Sequence, residues 1–157
     1  MKITTKTQLA LNHLRTGVIA HPTDTIYGLA CLANNLDSIK TLAVLKRRDI
    51  KKGFILLASD INYLLPYIDP NLDIDLLEKL SIPTEVATTY LVPKSKNIST
   101  LITGEHELLA VRITLNPLIS YFCENTGSAL ISTSANTQGG KVATSLIELK
   151  KYFGNEL

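Results

Sequence analysis

Four short segments of the 157-residue sequence gather side chains able to bind or transfer polar groups. In the first, His21-Pro22-Thr23-Asp24-Thr25-Ile26-Tyr27-Gly28, hydroxyls, one carboxylate and a glycine lie between apolar runs. Such a turn can hold a small polar ligand, although Thr and Asp equally serve to cap a helix start. In the second, Lys46, Arg47, Arg48, Lys51 and Lys52 precede Gly53 and an apolar run. Lysine offers a point charge and arginine a bidentate fork, so the cluster suits a phosphate clamp; a solvated helix end is the other use of such a run. In the third, Arg112 sits within Ala110-Val111-Arg112-Ile113. A guanidinium drawn into an apolar strand needs an anion, supplied by Asp24, by Glu85 or by a ligand carboxylate. In the fourth, Ser132-Thr133-Ser134-Ala135-Asn136 follows Ala129-Leu130-Ile131, which places donors where a buried strand emerges. Ligands of α/β sheets bind at such strand ends, and a Ser/Thr-rich loop without a ligand is the alternative.

Several chemistries lack their residues. There is no Gly-x-Ser-x-Gly elbow and no histidine in a triad order, so hydrogen bonding to phosphate or an amino acid fits the serines better than covalent catalysis. Gly139-Gly140-Lys141 lacks the spacing of a phosphate loop, and a flexible loop is expected there. Cys31 and Cys123 form no Cys-x-x-Cys pair, and His13, His21 and His106 have no companion at metal-ligand spacing. No metal ligand and no catalytic histidine is assigned, and two buried thiols are expected. A formal net charge of +2 is too small by itself to imply nucleic-acid binding. The N-terminal residues contain no long apolar stretch, so a cytoplasmic location without membrane attachment is expected.

The elements that must position these groups read as α/β within one domain over residues 1–157. Leu9, Leu11 and Leu14 give a helical stripe after Thr5 or Thr7 as N-cap, with Gly17 as stop. Val18–His21 has strand character. Asp37 is read as the cap of a helix carrying Ile39, Leu42 and Leu45 inward, and Phe54–Ala58 as a buried strand. A weak helix is expected over 69–83, strands at Ala87–Val92, Leu108–Thr114 and Ala129–Ser132, and a helix at Pro117–Glu124. Because some neighbouring strands are joined without a helix, a twisted mixed sheet flanked by helices is expected.

Taken in order, PTDTIYGLA, KRR with KKGFILLA, TYLVP, LAVRI and ISTSAN resemble the YrdC-like threonylcarbamoyl-AMP synthase (TsaC) family, from about Gly17 to Gly154. The resemblance implies a twisted sheet around a basic concave cavity. It also implies an enzyme, a nucleotidyltransferase making threonylcarbamoyl-adenylate and pyrophosphate from L-threonine, bicarbonate and ATP, with Mg²⁺ as helper, for threonylcarbamoyladenosine in tRNA. Carried over by position, Thr23, Tyr27 and Arg112 would bind threonine. Lys46 and Arg48 would grip the phosphates and carry catalysis, and Lys52, Thr89, Ser132, Ser134 and Asn136 would complete the nucleotide site. Lys, Arg, Ser and Thr side chains suffice for such chemistry, which requires reactants held in line and phosphate charge stabilised. The sequence departs from the family's Trp-Pro-Gly-Pro-x-Thr at Thr84-Glu85-Val86-Ala87-Thr88-Thr89, which implies a reshaped turn near the nucleotide. Double-stranded RNA or tRNA and tRNA-modification proteins are the further partners considered. The alternatives are a non-catalytic module for double-stranded RNA or tRNA, and a degenerate relative that binds nucleotide without turnover.

Overall fold

The computed structural model describes residues 3–23, 26–84, 86–154 and 156–157. Its centre is one six-stranded sheet in the order β1-β2-β6-β3-β5-β4. The strands are β1 (Ile19–Pro22), β2 (Tyr27–Leu32), β3 (Ile55–Ala58), β4 (Tyr90–Pro93), β5 (Leu108–Ile113) and β6 (Leu130–Ser134). Only β3 and β5 run parallel; the other neighbours are antiparallel, so the sheet is mixed as expected.

Register sorts the strand side chains into two faces, because directly paired residues share a face and neighbours along a strand alternate. One face carries Cys31, Leu56, Val111 and Ile131, linked by the pairs Cys31↔Ile131, Leu56↔Ile131 and Leu56↔Val111. All four are buried in the hydrophobic core. The other face carries Gly28, Ser134, Ser132, Ile55, Leu57 and Arg112, through Gly28↔Ser134, Ile55↔Ser132 and Leu57↔Arg112. Gly28, Arg112, Ser132 and Ser134 therefore share one side of the sheet.

The helices are α1 (Thr7–Leu14), α2 (Leu36–Leu45), α3 (Ile74–Ser81), α4 (Thr100–Thr103), α5 (Pro117–Thr126) and α6 (Leu146–Phe153). Leu11 and Leu14 of α1, Ile39 and Leu42 of α2, Ile119 and Phe122 of α5, and Phe153 of α6 join the core. Several boundaries differ from the sequence reading. Neither Thr5 nor Thr7 caps α1: its N-cap is Lys6, without a side-chain cap. Asn35, not Asp37, caps α2 by accepting from Ser38 N, because the helix begins at Leu36, two residues earlier than a cap at Asp37 would give. Asp37 lies in the first turn, where a carboxylate complements the helix dipole and pairs with Lys40. The helix read over 69–83 narrows to Ile74–Ser81, started by Asp73 accepting from Asp75 N and Leu76 N. Strand β6 continues two residues past Ser132, so Ser134 is still part of the sheet.

Candidate active site

A cavity of about 800 Å³ lies on the polar side of the sheet. Its floor is supplied by Gly28, Ile55, Leu57, Ser132 and Ser134, and its walls include Thr23, Arg48, Arg112 and Thr84. The β1–β2 turn that brings Thr23 there is closed on itself: Thr23 N and Oγ1 both donate to Ile26 O, at 2.9 and 2.8 Å. Thr23 thus serves the turn's geometry, while Asp24 and Thr25 lie outside the described residues. Tyr27 is half-buried against the core, with its backbone joined to Ala143 and Ala135, and does not line the cavity.

The basic cluster disperses. Helix α2 ends in a Schellman turn, with Arg48 N donating to Ala43 O and Arg47 N to Val44 O. The residue at the left-handed position is Arg47, φ 49°, where glycine is usual. This sharp reversal sends Lys46 and Arg48 to different places. Arg48 reaches the cavity, its Nε donating to Gly53 O at 3.0 Å and its guanidinium carbon 5.1 Å from the centre of the Phe54 ring. Lys46 turns under the neighbouring loop: its Nζ donates to Ser134 O (2.5 Å), Asn136 O (2.8 Å) and Asn136 Oδ1 (2.9 Å). Burial first, and the Arg48 charge second, push the Lys46 ammonium down to about 8. Lys51 pairs with Glu105 on the surface, and Lys52 lines a separate, smaller hollow that shares Arg48 and Phe54 with the main cavity.

Arg112 meets a neutral partner. Its Nε and Nη2 donate to Thr89 Oγ1 at 3.0 and 2.7 Å. Among the described residues it makes no ion pair; Glu85 and Asp24, the protein carboxylates considered for it, lie outside them. The altered 84–89 segment borders the cavity through Thr84 and Ala87 and supplies the hydroxyl that holds Arg112. Thus Thr23, Arg48, Arg112, Ser132 and Ser134 converge on one cavity. Thr89, Lys46 and Asn136 stand behind it, and Tyr27 and Lys52 stand apart.

His21, to which the sequence reading assigned no role, is buried at 3% exposure and lines the cavity. Its Nδ1 lies 3.1 Å from Pro22 O, and Nε2 has no hydrogen-bond partner among the described residues. A carbonyl only accepts, so Nδ1 carries the proton and Nε2 is left as an acceptor. Gly28 makes the room: a Cβ there would stand 2.9 Å from His21 Nε2. Burial lowers the His21 pKa, opposed by the Pro22 carbonyl. The position of His21 in β1, two residues before Thr23 of the turn, was the available clue. No cluster of acidic, histidine or cysteine side chains able to hold a metal occurs among the described residues.

Comparison with known proteins agrees with this architecture. A family model for Sua5, YciO and YrdC proteins, described as "Telomere recombination", matches residues 13–157. A threonylcarbamoyl-AMP synthase of Pseudoalteromonas atlantica is 39% identical over 153 residues, covering 94% of this chain and 79% of the relative. One from Haemophilus ducreyi is 41% identical over 142 residues, covering 88% and 76%. Among solved structures, P. abyssi Sua5 complexed with L-threonine superposes with a TM-score of 0.81 at 24% identity, covering 96% of this chain and 44% of that one. E. coli YciO gives a TM-score of 0.74 at 22% identity, covering 97% and 76%. The chain therefore spans less than half of the Sua5 protein and about three quarters or more of the synthases. With a family model over nearly its whole length and this fold, the chain belongs to the Sua5/YciO/YrdC family.

Proposed function

We infer that the chain is a threonylcarbamoyl-AMP synthase, joining L-threonine, bicarbonate and ATP into threonylcarbamoyl-adenylate with release of pyrophosphate. The observation that carries this reading is a pair of guanidinium groups, Arg48 and Arg112, lining one cavity without an ion pair among the described residues. Two unneutralised cations suit two anionic substrates, a triphosphate and an amino-acid carboxylate. The relatives' name, threonylcarbamoyl-AMP synthase, denotes a product joining a threonyl group to an adenylate, which this pair of substrates would form.

In this reading Arg112, braced by Thr89, holds the threonine carboxylate, and Arg48, braced by Gly53 O and Phe54, holds phosphate oxygens. The amine of threonine and bicarbonate form a carbamate with loss of water. A carbamate oxygen then bonds to the α-phosphorus as the bond to the β-phosphate oxygen breaks. No protein nucleophile takes part, so the residues contribute alignment and charge stabilisation. The described lining presents no carboxylate to a cation, so Mg²⁺ would enter as the chelate of ATP. The product would serve threonylcarbamoylation of tRNA in the cytoplasm, with tRNA and modification proteins as later partners. Of the basic cluster Lys46 is buried and Lys51 is paired, and no observation favours a duplex-RNA or tRNA-binding module over the synthase.

The test is pyrophosphate release by the purified protein with ATP, Mg²⁺ and bicarbonate. Release that depends on L-threonine, and is weaker with L-serine, is the expected result. Folded protein that releases none would favour the degenerate binder.

A further inference from the structure

Carbamate formation leaves a proton to be placed. An ammonium and bicarbonate combine into a carbamate, water and one proton, and only a nitrogen already relieved of a proton has the lone pair to attack. The cavity disfavours the ammonium, because Arg48 and Arg112 line it without an ion pair among the described residues and its described lining has no carboxylate. Among the described residues of that lining, His21 is the one uncharged base able to receive the proton. The pairs His21↔Gly28 and Gly28↔Ser134 put it on the polar side of the sheet. Its ring takes the place that a Gly28 side chain would fill, with Nε2 2.9 Å from where that Cβ would stand. Nδ1 gives its proton to Pro22 O, so the lone pair is on Nε2, and no donor among the described residues meets it.

A buried acceptor without a donor is unfavourable, and a donor seated in the cavity removes that penalty. The charged groups around this place are Arg48 from the turn after α2 and Arg112 from β5, with the Lys46 ammonium held behind Ser134 of β6. Asp24, on the same turn as Thr23, lies outside the described residues. We propose, resting on the threonine-and-ATP reading above, that His21 is the general base of carbamate formation, taking the proton of the threonine ammonium at Nε2. The free amine then bonds to the bicarbonate carbon, and the hydroxyl leaves with a second amine proton as water. The imidazolium returns its proton to solvent as product departs.

Pyrophosphate release tests this, followed against pH at saturating ATP, Mg²⁺ and L-threonine, with bicarbonate ion held constant and the protein shown to be folded by circular dichroism. Wild-type kcat should fall as pH drops below 6.5 and His21 takes up a proton. His21→Gln and His21→Phe should lose about 100-fold in kcat and the acid limb with it. By calorimetry both should bind L-threonine and a non-hydrolysable ATP analogue within about three-fold of wild type. Weakening of both ligands alike would mark a structural role and overturn the proposal. His21→Ala should regain rate on addition of imidazole, which a structural role would not give. Asp24→Asn should keep the acid limb; its loss there would move the base to Asp24 and overturn the proposal. Unchanged kcat in His21→Gln and His21→Phe would overturn it as well, and would mean that carbamate formed in solution is used. Wild-type protein without threonine-dependent release would overturn the functional reading, and the proposal with it.

Discussion

At the scale of single residues, the site is governed by how each polar atom is already engaged. Arg112 gives two hydrogen bonds to a hydroxyl and keeps its charge unneutralised among the described residues, whereas the Lys46 donors are all engaged within the protein. Sequence alone could not separate these two cations, because both lie next to apolar residues and only the path of the backbone decides which one meets solvent. His21 shows the same limit. Its position before the polar turn was visible, but its burial depends on Gly28 in the neighbouring strand. A pH dependence follows. The unfolded imidazole titrates near its ordinary value of 6.5 and the native one lower, so between those values the unfolded chain binds more protons. Stability contributed by neutral His21 is present above that value and lost as pH falls through the window. Denaturant midpoints should drop as pH falls below the ordinary imidazole value of 6.5, and His21→Gln should flatten part of that drop. An equal slope in both proteins would remove His21 as its source.

At the scale of elements, the C-terminal turn of α2 is where local preference and the site conflict most openly. A glycine at position 47 would adopt φ 49° without penalty, yet the sequence has arginine. Arg47→Gly should stabilise the fold by up to ~1 kcal/mol, read as a rise in chemical-denaturation midpoint at unchanged m-value. A fall in midpoint would mean that the Arg47 side chain makes a contact outweighing its backbone strain. The strands with plain β-branched or apolar runs were legible, as were the helices with regular stripes. Strand β2 was not, because Tyr27–Leu32 is buried at nearly every position and therefore lacks alternation. Helix α6 was overlooked although Ser145-Leu146-Ile147-Glu148 has capping-box spacing: Ser145 Oγ accepts from Glu148 N, and the Glu148 carboxylate accepts from Thr144 N and Oγ1.

At the scale of the whole molecule, the sheet order brings together segments far apart in sequence. Residues near 23, 48, 112 and 134 meet because β2 pairs with β6, β6 with β3 and β3 with β5, which puts their polar positions on one face. The α/β class and the mixed sheet were readable from the spacing of strands and helices. Strand order was not, since pairing between distant segments leaves no local trace in composition. Five ordered motifs nevertheless pointed to the family that the comparisons show, and the cavity gathers most of the residues those motifs named. The central claim is that this cavity couples a carbamate of threonine to adenylate. Its most direct test is mass spectrometry of the products formed from ATP, L-threonine and isotopically labelled bicarbonate. An adenylate carrying both the threonine mass and the label, formed together with pyrophosphate, is the predicted product. Unlabelled AMP or intact ATP as the sole adenine species would contradict the account.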